Sequence, residues 1–182
     1  MNPWLALLVT LSALNPFAIA ASIGPKRPER FALLAAGIVG VAAYAVAAVT
    51  ANDLLRALSV EPETFDVAAG VILAASGASL LAVGPRPLSA EPQPDGFRSL
   101  LVPLVFPLLL APSPLAVAVL ISAREGWELA AVSSGAAVAA ALLLVAARIG
   151  RSRAAVDGLA RLLAALTVIF AAAFAVDGIR SV

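Results

Sequence analysis

The sequence predicts an all-α polytopic membrane protein whose six transmembrane helices form two inverted three-helix repeats. The first observation behind this prediction is composition: 62% of the residues are hydrophobic and 13% are charged, against about 45–50% and about 25% in soluble domains. The second is the presence of six apolar stretches, each of about 20 residues, which is the length that crosses a hydrocarbon core of about 30 Å. The third is a similarity between the two halves of the chain, with prolines interrupting the first and fourth stretches.

Segments rich in charge, glycine and proline separate the six stretches, at 25–30, 52–64, 85–98, 124–126 and 150–157. The first stretch also resembles a cleaved signal peptide, but no Lys or Arg precedes it, so we expect a retained span. The predicted spans are 3–24, 31–51, 66–84, 100–122, 128–148 and 159–178.

The basic residues predict the orientation of these spans. If the six spans hold, nine of the twelve Lys and Arg residues share one side of the membrane, which the positive-inside rule makes the cytoplasmic side. Both termini are then expected outside, and Arg56, Arg124 and Arg180 lie on the outer side. The nine are Lys26, Arg27, Arg30, Arg86, Arg98, Arg148, Arg151, Arg153 and Arg161.

Cysteine and histidine are both absent. A disulfide, a thiolate metal site and a dithiol electron carrier are therefore excluded, and the commonest metal ligand and general base are missing. Asp66 and Asp177, at span ends, are predicted to be structural, with Asp177 paired to Arg180 three residues on. We expect no catalytic residue, no metal, no cofactor and no nucleic-acid partner, and we do not expect an enzyme.

Sliding the sequence on itself reveals the internal repeat. An offset of 98 residues (113 − 15) places Asn15-Pro16 over Ser113-Pro114 and Gly37 over Gly135. A repeat of three helices must insert its second copy upside down, a design of secondary transporters in which substrate binds at broken helices near the midplane. The two glycines are expected to serve close packing. The single membrane domain, 1–182, is divided into repeat one (1–84), a cytoplasmic linker (85–99) and repeat two (100–182).

The prolines in spans one and four predict broken helices. Pro16 has no N–H and crowds the Ser12 carbonyl, which costs about 3 kcal/mol unless something compensates, and in hydrocarbon that carbonyl needs a new partner. Asn is a strong N-cap and Pro suits the first helical position, so a second half-helix is predicted to start at Asn15. Span four contains four prolines, Pro103, Pro107, Pro112 and Pro114. Ser113-Pro114 is predicted to start a second half-helix there, as Asn15-Pro16 does in span one.

Each half-helix start presents free N–H groups and a positive dipole end, which together favour an anion. The opposite pole, formed by the last carbonyls of the first half-helices with the Ser12 and Asn15 side chains, is predicted to accept hydrogen bonds from an ammonium group. The alternative is that the prolines only kink packed helices; their matching places in both repeats favour a binding role. The candidate substrate-binding residues are Ser12, Asn15, Pro16, Phe17, Ala111, Pro112, Ser113 and Pro114.

These motifs resemble those of the MarC family, the SnatA-like neutral amino acid transporter family of the lysine-exporter superfamily. Asn15-Pro16 is similar to the family's Asp/Asn-Pro in its first helix, 65–73 (FDVAAGVIL) to its third-helix pattern F-x-I-A-G-G-I-L-L, and 103–113 (PLVFPLLLAPS) to P-L-A-I-P-L-L-A-G-P-G. The chain departs from the family at glycines near these prolines, since Ala111 and Ser113 flank Pro112. The family motif pairs Pro16 with Pro112, whereas the self-alignment pairs it with Pro114, and both pairings stay open.

The resemblance implies a six-helix protein of a prokaryotic cytoplasmic membrane that moves small neutral amino acids such as alanine and glycine. Its partners would be the lipid bilayer and this small-molecule substrate, and a homo-oligomer is not excluded. Two other functions remain open from the residues: a permease for another small solute or ion, and a membrane scaffold or regulatory protein that transports nothing.

Overall fold

The chain is a bundle of α-helices in a computed structural model that describes residues 1–23, 30–85, 104–147 and 153–181. No strand occurs in these ranges. The helices are α1 (Pro3–Leu14), α2 (Pro16–Ile23), α3 (Arg30–Ala57), α4 (Pro62–Val83), the short α5 (Leu104–Leu109), which is kinked at the extended Phe106, α6 (Pro112–Glu125), α7 (Trp127–Ala147) and α8 (Arg153–Ser181).

The membrane class that the sequence predicts is confirmed. Among the described residues, five helical stretches are long and apolar enough to cross a bilayer: Pro3–Ile23, Arg30–Ala57, Pro62–Val83, Trp127–Ala147 and Ala154–Ser181. The predicted span at 100–122 corresponds to α5 and α6, which are too short to qualify separately. Several predicted features lie outside the described residues, namely Pro103, the linker from 86 to 99, and the side chains of Lys26, Arg27, Arg86, Arg98, Arg148, Arg151 and Arg153.

Two predicted breaks are shorter than expected. The break at 52–64 shrinks because α3 runs on to Ala57 and α4 starts at Pro62. The break at 150–157 shrinks because α8 starts at Arg153, which places Asp157 inside a helix. Both extensions carry ion pairs at helical spacing, Asp53 with Arg56 and Asp157 with Arg161, so polar side chains continue these helices beyond their apolar stretches.

Narrow stripes of small residues hold the long helices together. On α3 the buried positions recur every three or four residues, the period that keeps them on one face. Large apolar side chains on the remaining surface are exposed, as expected of helices that face lipid. The stripe on α3 consists of Ala32, Ala36, Gly40, Tyr44, Ala48, Ala51 and Leu55; exposed examples on three helices are Ile38, Val46, Leu143 and Ile169.

Helix α6 lies at the centre of the bundle. It packs against α1, α3, α4 and α7, and nine of its fourteen residues are buried. A helix that is buried nearly all round lies inside a protein rather than against lipid. In the first turn of α6, Ser113 and Pro114 are buried, whereas Pro112 itself is exposed.

Helices α4 and α8 form the most extensive helix pair. A Cβ atom added at Gly70 would lie 2.8 Å from the Ala171 carbonyl oxygen, and one added at Gly77 would lie 2.9 Å from the Ala164 carbonyl oxygen. Such approaches of backbone to backbone let helices associate in lipid through van der Waals contact. At Gly135, by contrast, nothing lies within 4 Å of the added Cβ, so the prediction that this glycine serves packing is wrong within the described structure.

Substituting these glycines should separate close packing from helix propensity. We expect Gly70→Ala and Gly77→Ala each to lower the free energy of unfolding by about 1–3 kcal/mol, because backbone atoms of α8 must move to make room. Gly135→Ala is the matched control and should be neutral or stabilising by up to about 1 kcal/mol, since alanine favours helix. Melting curves in one detergent measure all three, and equal effects would contradict the packing argument.

Candidate functional site

Asn15 interrupts the first predicted span. Four residues that precede a proline are extended, at Asn2, Glu61, Phe106 and Ala111, as proline requires of its neighbour. Asn15 instead has φ 50° and ψ 74°, a left-handed conformation that asparagine tolerates better than most residues. Helix α1 ends at Leu14 and α2 starts at Pro16, so the chain changes course at this residue.

The Asn15 side chain joins three helices. Its Oδ1 accepts a hydrogen bond from the Ala18 N–H at 3.1 Å, which caps the start of α2. Its Nδ2 donates to the Ala160 carbonyl of α8 at 2.7 Å. The Asn15 backbone N–H still donates to Leu11, closing α1 at 2.9 Å. One buried residue thus ends α1 with its backbone N–H, and its side chain caps α2 and attaches this region to α8.

The second interruption lies between α5 and α6. Helix α6 starts at Pro112 after an extended Ala111, with no side-chain cap. The prediction that Ser113-Pro114 is an N-cap followed by a first helical residue is therefore wrong. Pro114 is accommodated at the third position of α6, because the first N–H groups of a helix have no intrahelical partner to lose. Pro16 and Pro112 occupy the same place in their helices, the first.

Hydroxyl groups from other helices donate to carbonyls that lack their usual backbone N–H donor. The Thr167 hydroxyl of α8 lies 2.8 Å from the Ser12 carbonyl that Pro16 leaves without its N–H, and 2.9 Å from the Leu163 carbonyl of its own helix. Ser113 of α6 donates to the Ala13 carbonyl at 3.4 Å, and Tyr44 of α3 donates to the Leu109 carbonyl. Ser113 thereby brings the two interruptions into direct contact. At the first interruption the carbonyl pole predicted to accept an ammonium group is therefore largely hydrogen-bonded already.

Some backbone N–H and carbonyl groups at the two interruptions lose their helical partners. In an unbroken helix the N–H groups of Phe17 and Ser113 would bond to the Ala13 and Leu109 carbonyls, which the hydroxyls now occupy. Among the described residues these two N–H groups have no acceptor, and the carbonyls of Leu14 and Leu110 have no donor.

Each interruption therefore keeps at least one backbone donor and one backbone acceptor without a described partner. The second interruption keeps more, because the Ala111 N–H and the carbonyls of residues 106–108 also have none. A buried polar group without a partner costs about 1–3 kcal/mol, and such groups in native proteins call for an explanation. The number of free donors is smaller than the sequence suggests, because proline removes one N–H at the start of α2 and two at the start of α6.

The predicted site residues differ in exposure. Ser12, Asn15, Pro16, Ser113 and Pro114 are buried, Phe17 and Ala111 are half-buried, and Pro112 is exposed. The Ser12 hydroxyl donates to Val9 of its own helix at 2.8 Å, so it faces its own backbone. The contact between Ala13 and Ser113 brings the two groups of predicted residues together.

Sequence reasoning missed two residues of this region. Thr167 and Tyr44 are not among the candidate substrate-binding residues that the sequence predicts. A signal exists for both: each is an isolated hydroxyl within an apolar span, and such a hydroxyl in lipid needs an acceptor. Which acceptor it finds depends on the packing of distant helices.

A cluster of charges lies at the end of the bundle away from the interruptions. Arg124 of α6 donates from Nε to Asp66 Oδ2 of α4 at 3.0 Å, and its guanidinium lies 3.8 Å from Asp177 of α8. The predicted pairing of Asp177 with Arg180 is wrong, because Asp177 instead faces a neighbouring helix. Within the described ranges no group of three or more Asp or Glu side chains is placed to hold a metal ion.

Replacing Asn15 should show how much its cap and its left-handed conformation contribute to the free energy of unfolding. We expect Asn15→Leu to lower the free energy of unfolding by about 2–4 kcal/mol, through the lost cap and the left-handed strain. Asn15→Gly should cost less, because glycine adopts this conformation freely. Asn2→Ala, which removes the exposed cap of α1, is the control. Chemical denaturation in detergent measures the series; a Leu variant no worse than the Gly variant would contradict the assignment.

Removing the Thr167 hydroxyl tests the substitute donor. Thr167→Val keeps the side-chain shape but leaves the Ser12 carbonyl without a partner, so we expect a loss of about 1–3 kcal/mol. Thr50→Val is the matched control, because Thr50 is exposed and bonds only within α3. Thermal melting of both variants decides, and equal stabilities would show that Thr167 does not compensate for the proline.

Comparison with known proteins gives one match. The family model described as MarC family integral membrane protein matches residues 5–182, nearly the whole chain. No curated protein and no solved structure matches it.

Proposed function

Because the chain belongs to the MarC family of integral membrane proteins, we propose that it transports small neutral amino acids across the membrane. The observation that carries this proposal is that each interruption has both a backbone donor and a backbone acceptor without a described partner. Examples are the Phe17 N–H with the Leu14 carbonyl and the Ser113 N–H with the Leu110 carbonyl. A donor suits a carboxylate and an acceptor suits an ammonium group. A zwitterion offers both, whereas no buried formal charge is present at the interruptions to select an ion of one sign.

The packing of the helices supports two inverted repeats. A two-fold axis that exchanges spans one and four, two and five, and three and six requires matched contacts. Span two (α3) packs on span five (α7), and span three (α4) on span six (α8). Span one (α1 and α2) packs on span five (α7) and span six (α8). Its counterpart, span four, packs through α6 on span two (α3) and span three (α4), as the axis requires. The contact of α6 with α7 has no such counterpart.

The same symmetry relates the interruptions at an offset of 96 residues (112 − 16). This offset places Asn15 over Ala111, Ala13 over Leu109, Leu14 over Leu110, and Phe17 over Ser113. At this offset the Ala13 and Leu109 carbonyls both accept from a hydroxyl of another helix, and the N–H groups of Phe17 and Ser113 both lack a described acceptor. The offset of 98 instead places Ala13 over Ala111, whose carbonyl accepts from the Leu115 N–H.

The ends of the helices support six spans with both termini on one side. The Met1 amino group contacts Glu125, and Arg124 joins the start of α4 to the end of α8. At the opposite end Arg161 donates to the Leu81 carbonyl at 2.9 Å. By the positive-inside rule the Met1 end faces outward, and we place the protein in the cytoplasmic membrane of a prokaryote.

Purified protein in liposomes should exchange labelled alanine or glycine for internal unlabelled substrate. Acetate and ethylamine, which carry only one of the two charges, should compete poorly, because each leaves either the free acceptors or the free donors unpaired. Uptake by protein-free liposomes is the control. Failure to exchange any small neutral amino acid, with the protein folded, would refute the proposed substrate.

Ser113→Ala should reduce this exchange by about tenfold. Without the hydroxyl the Ala13 carbonyl becomes available to the Phe17 N–H, which would close one of the free donors; tenfold corresponds to about 1.4 kcal/mol, the worth of one such hydrogen bond. Thr50→Val, whose hydroxyl is exposed on α3, is the control and should exchange normally. Unimpaired exchange by Ser113→Ala would show that the contact between the interruptions is not needed.

A further inference from the structure

Arg124 is a hub at the Met1 end of the bundle. Its side chain is 30% exposed, and it pairs with Asp66, whose side chain is 4% exposed. It also reaches Asp177 and lies over the Phe174 ring, with its guanidinium carbon 5.8 Å from the ring centroid. One cation of repeat two therefore holds the start of α4 in repeat one and the end of α8.

Below this hub the bundle is closed by apolar side chains. Between the interruptions and the Met1 end, α6 and α1 contribute Val117, Leu120, Ile121 and Val9, each at most 1% exposed, and α4 contributes Leu73 at 0%. These five side chains, which we call the outer plug, belong to one continuous cluster. A substrate at the interruptions cannot reach the Met1 side unless the helices that carry the outer plug separate.

The ion pairs of Arg124 resist that separation. Moving α4 and α8 away from α6 would leave a nearly buried carboxylate and a guanidinium without each other, and breaking such a pair is costly. An arginine can hold two carboxylates at once because its donors form a planar fork. No comparable ion pair crosses the repeats elsewhere in the described chain apart from the Met1–Glu125 contact within this same end.

We propose that Arg124, through Asp66 and Asp177, is the latch of an outer gate, and that the structure is closed toward the side of Met1. This proposal rests on the proposed transport function and adds the device that controls access to its site. Releasing the latch lets α4 and α8 move from α6 and opens the outer plug.

Cysteine labelling tests the gate directly, since the chain has no cysteine of its own. Ala116→Cys places a reporter in the cluster of the outer plug, where Ala116 is 7% exposed. A membrane-impermeant maleimide is added to the Met1 side of liposomes of determined orientation. In the Arg124→Gln background the reporter should react about tenfold faster, because the open population rises.

Arg56→Gln is the matched control. Arg56 lies at the same end and pairs with Asp53 at 3.5 Å, but both side chains are about 80% exposed and lie on one helix. Its removal should leave labelling unchanged. An equal rise in both variants would overturn the latch, because it would reflect surface charge rather than the contact between helices.

Asp66→Asn is the second variant, in case Arg124→Gln does not fold. Its amide retains shape and can still accept from Arg124, yet the charge is gone, so faster labelling is again expected. Alanine exchange is measured in the same vesicles. Unchanged labelling in a folded variant that exchanges alanine overturns the gate and leaves the transport function standing; faster labelling without exchange of any amino acid supports the gate and refutes the substrate.

Discussion

The structure depends on one constraint: backbone polar groups inside a bilayer must find partners within the protein. Pro16 removes the donor that the Ser12 carbonyl would have, and in hydrocarbon an unsatisfied group costs several kcal/mol. The donor comes from Thr167, which is 155 residues away along the chain. The interruption in the first span is therefore stable only when α8 lies beside it, so that a local defect in one helix determines where another helix packs.

Small residues make these hydrogen bonds reachable. Hydroxyl and amide donors are short, and they can span two helices only if the backbones approach closely. Alanine and glycine on the buried stripes permit this approach, as at Gly70 and Gly77 against the α8 backbone. The pairing of α4 with α8 and the polar contacts of α8 with Ser12 and Asn15 are thus parts of one arrangement, because a shift of α8 would disturb both.

Charge is distributed between the centre and the end of the bundle in a way that suits the proposed function. Around the interruptions the polar atoms are backbone groups, hydroxyls and one amide, all neutral. The described formal charges that join different helices lie at the ends, with Arg124 between Asp66 and Asp177 at one end and Arg161 near Leu81 at the other. A neutral centre can bind and release a zwitterion without the cost of desolvating a fixed charge, while charged ends can hold helices together until they separate.

The sequence by itself determined the class of the protein and the places where its helices lose hydrogen bonds. Apolar composition and stretch length identify a membrane protein because lipid tolerates few charges, and each proline marks a missing N–H because this follows from covalent structure. Only the tertiary structure decided which groups compensate. It brought Thr167 to Ser12 and Tyr44 to Leu109, started α6 at Pro112 rather than Ser113, and turned Asp177 toward Arg124 instead of Arg180. These outcomes depend on which distant helices become neighbours, and residue spacing within one helix carries no information about that.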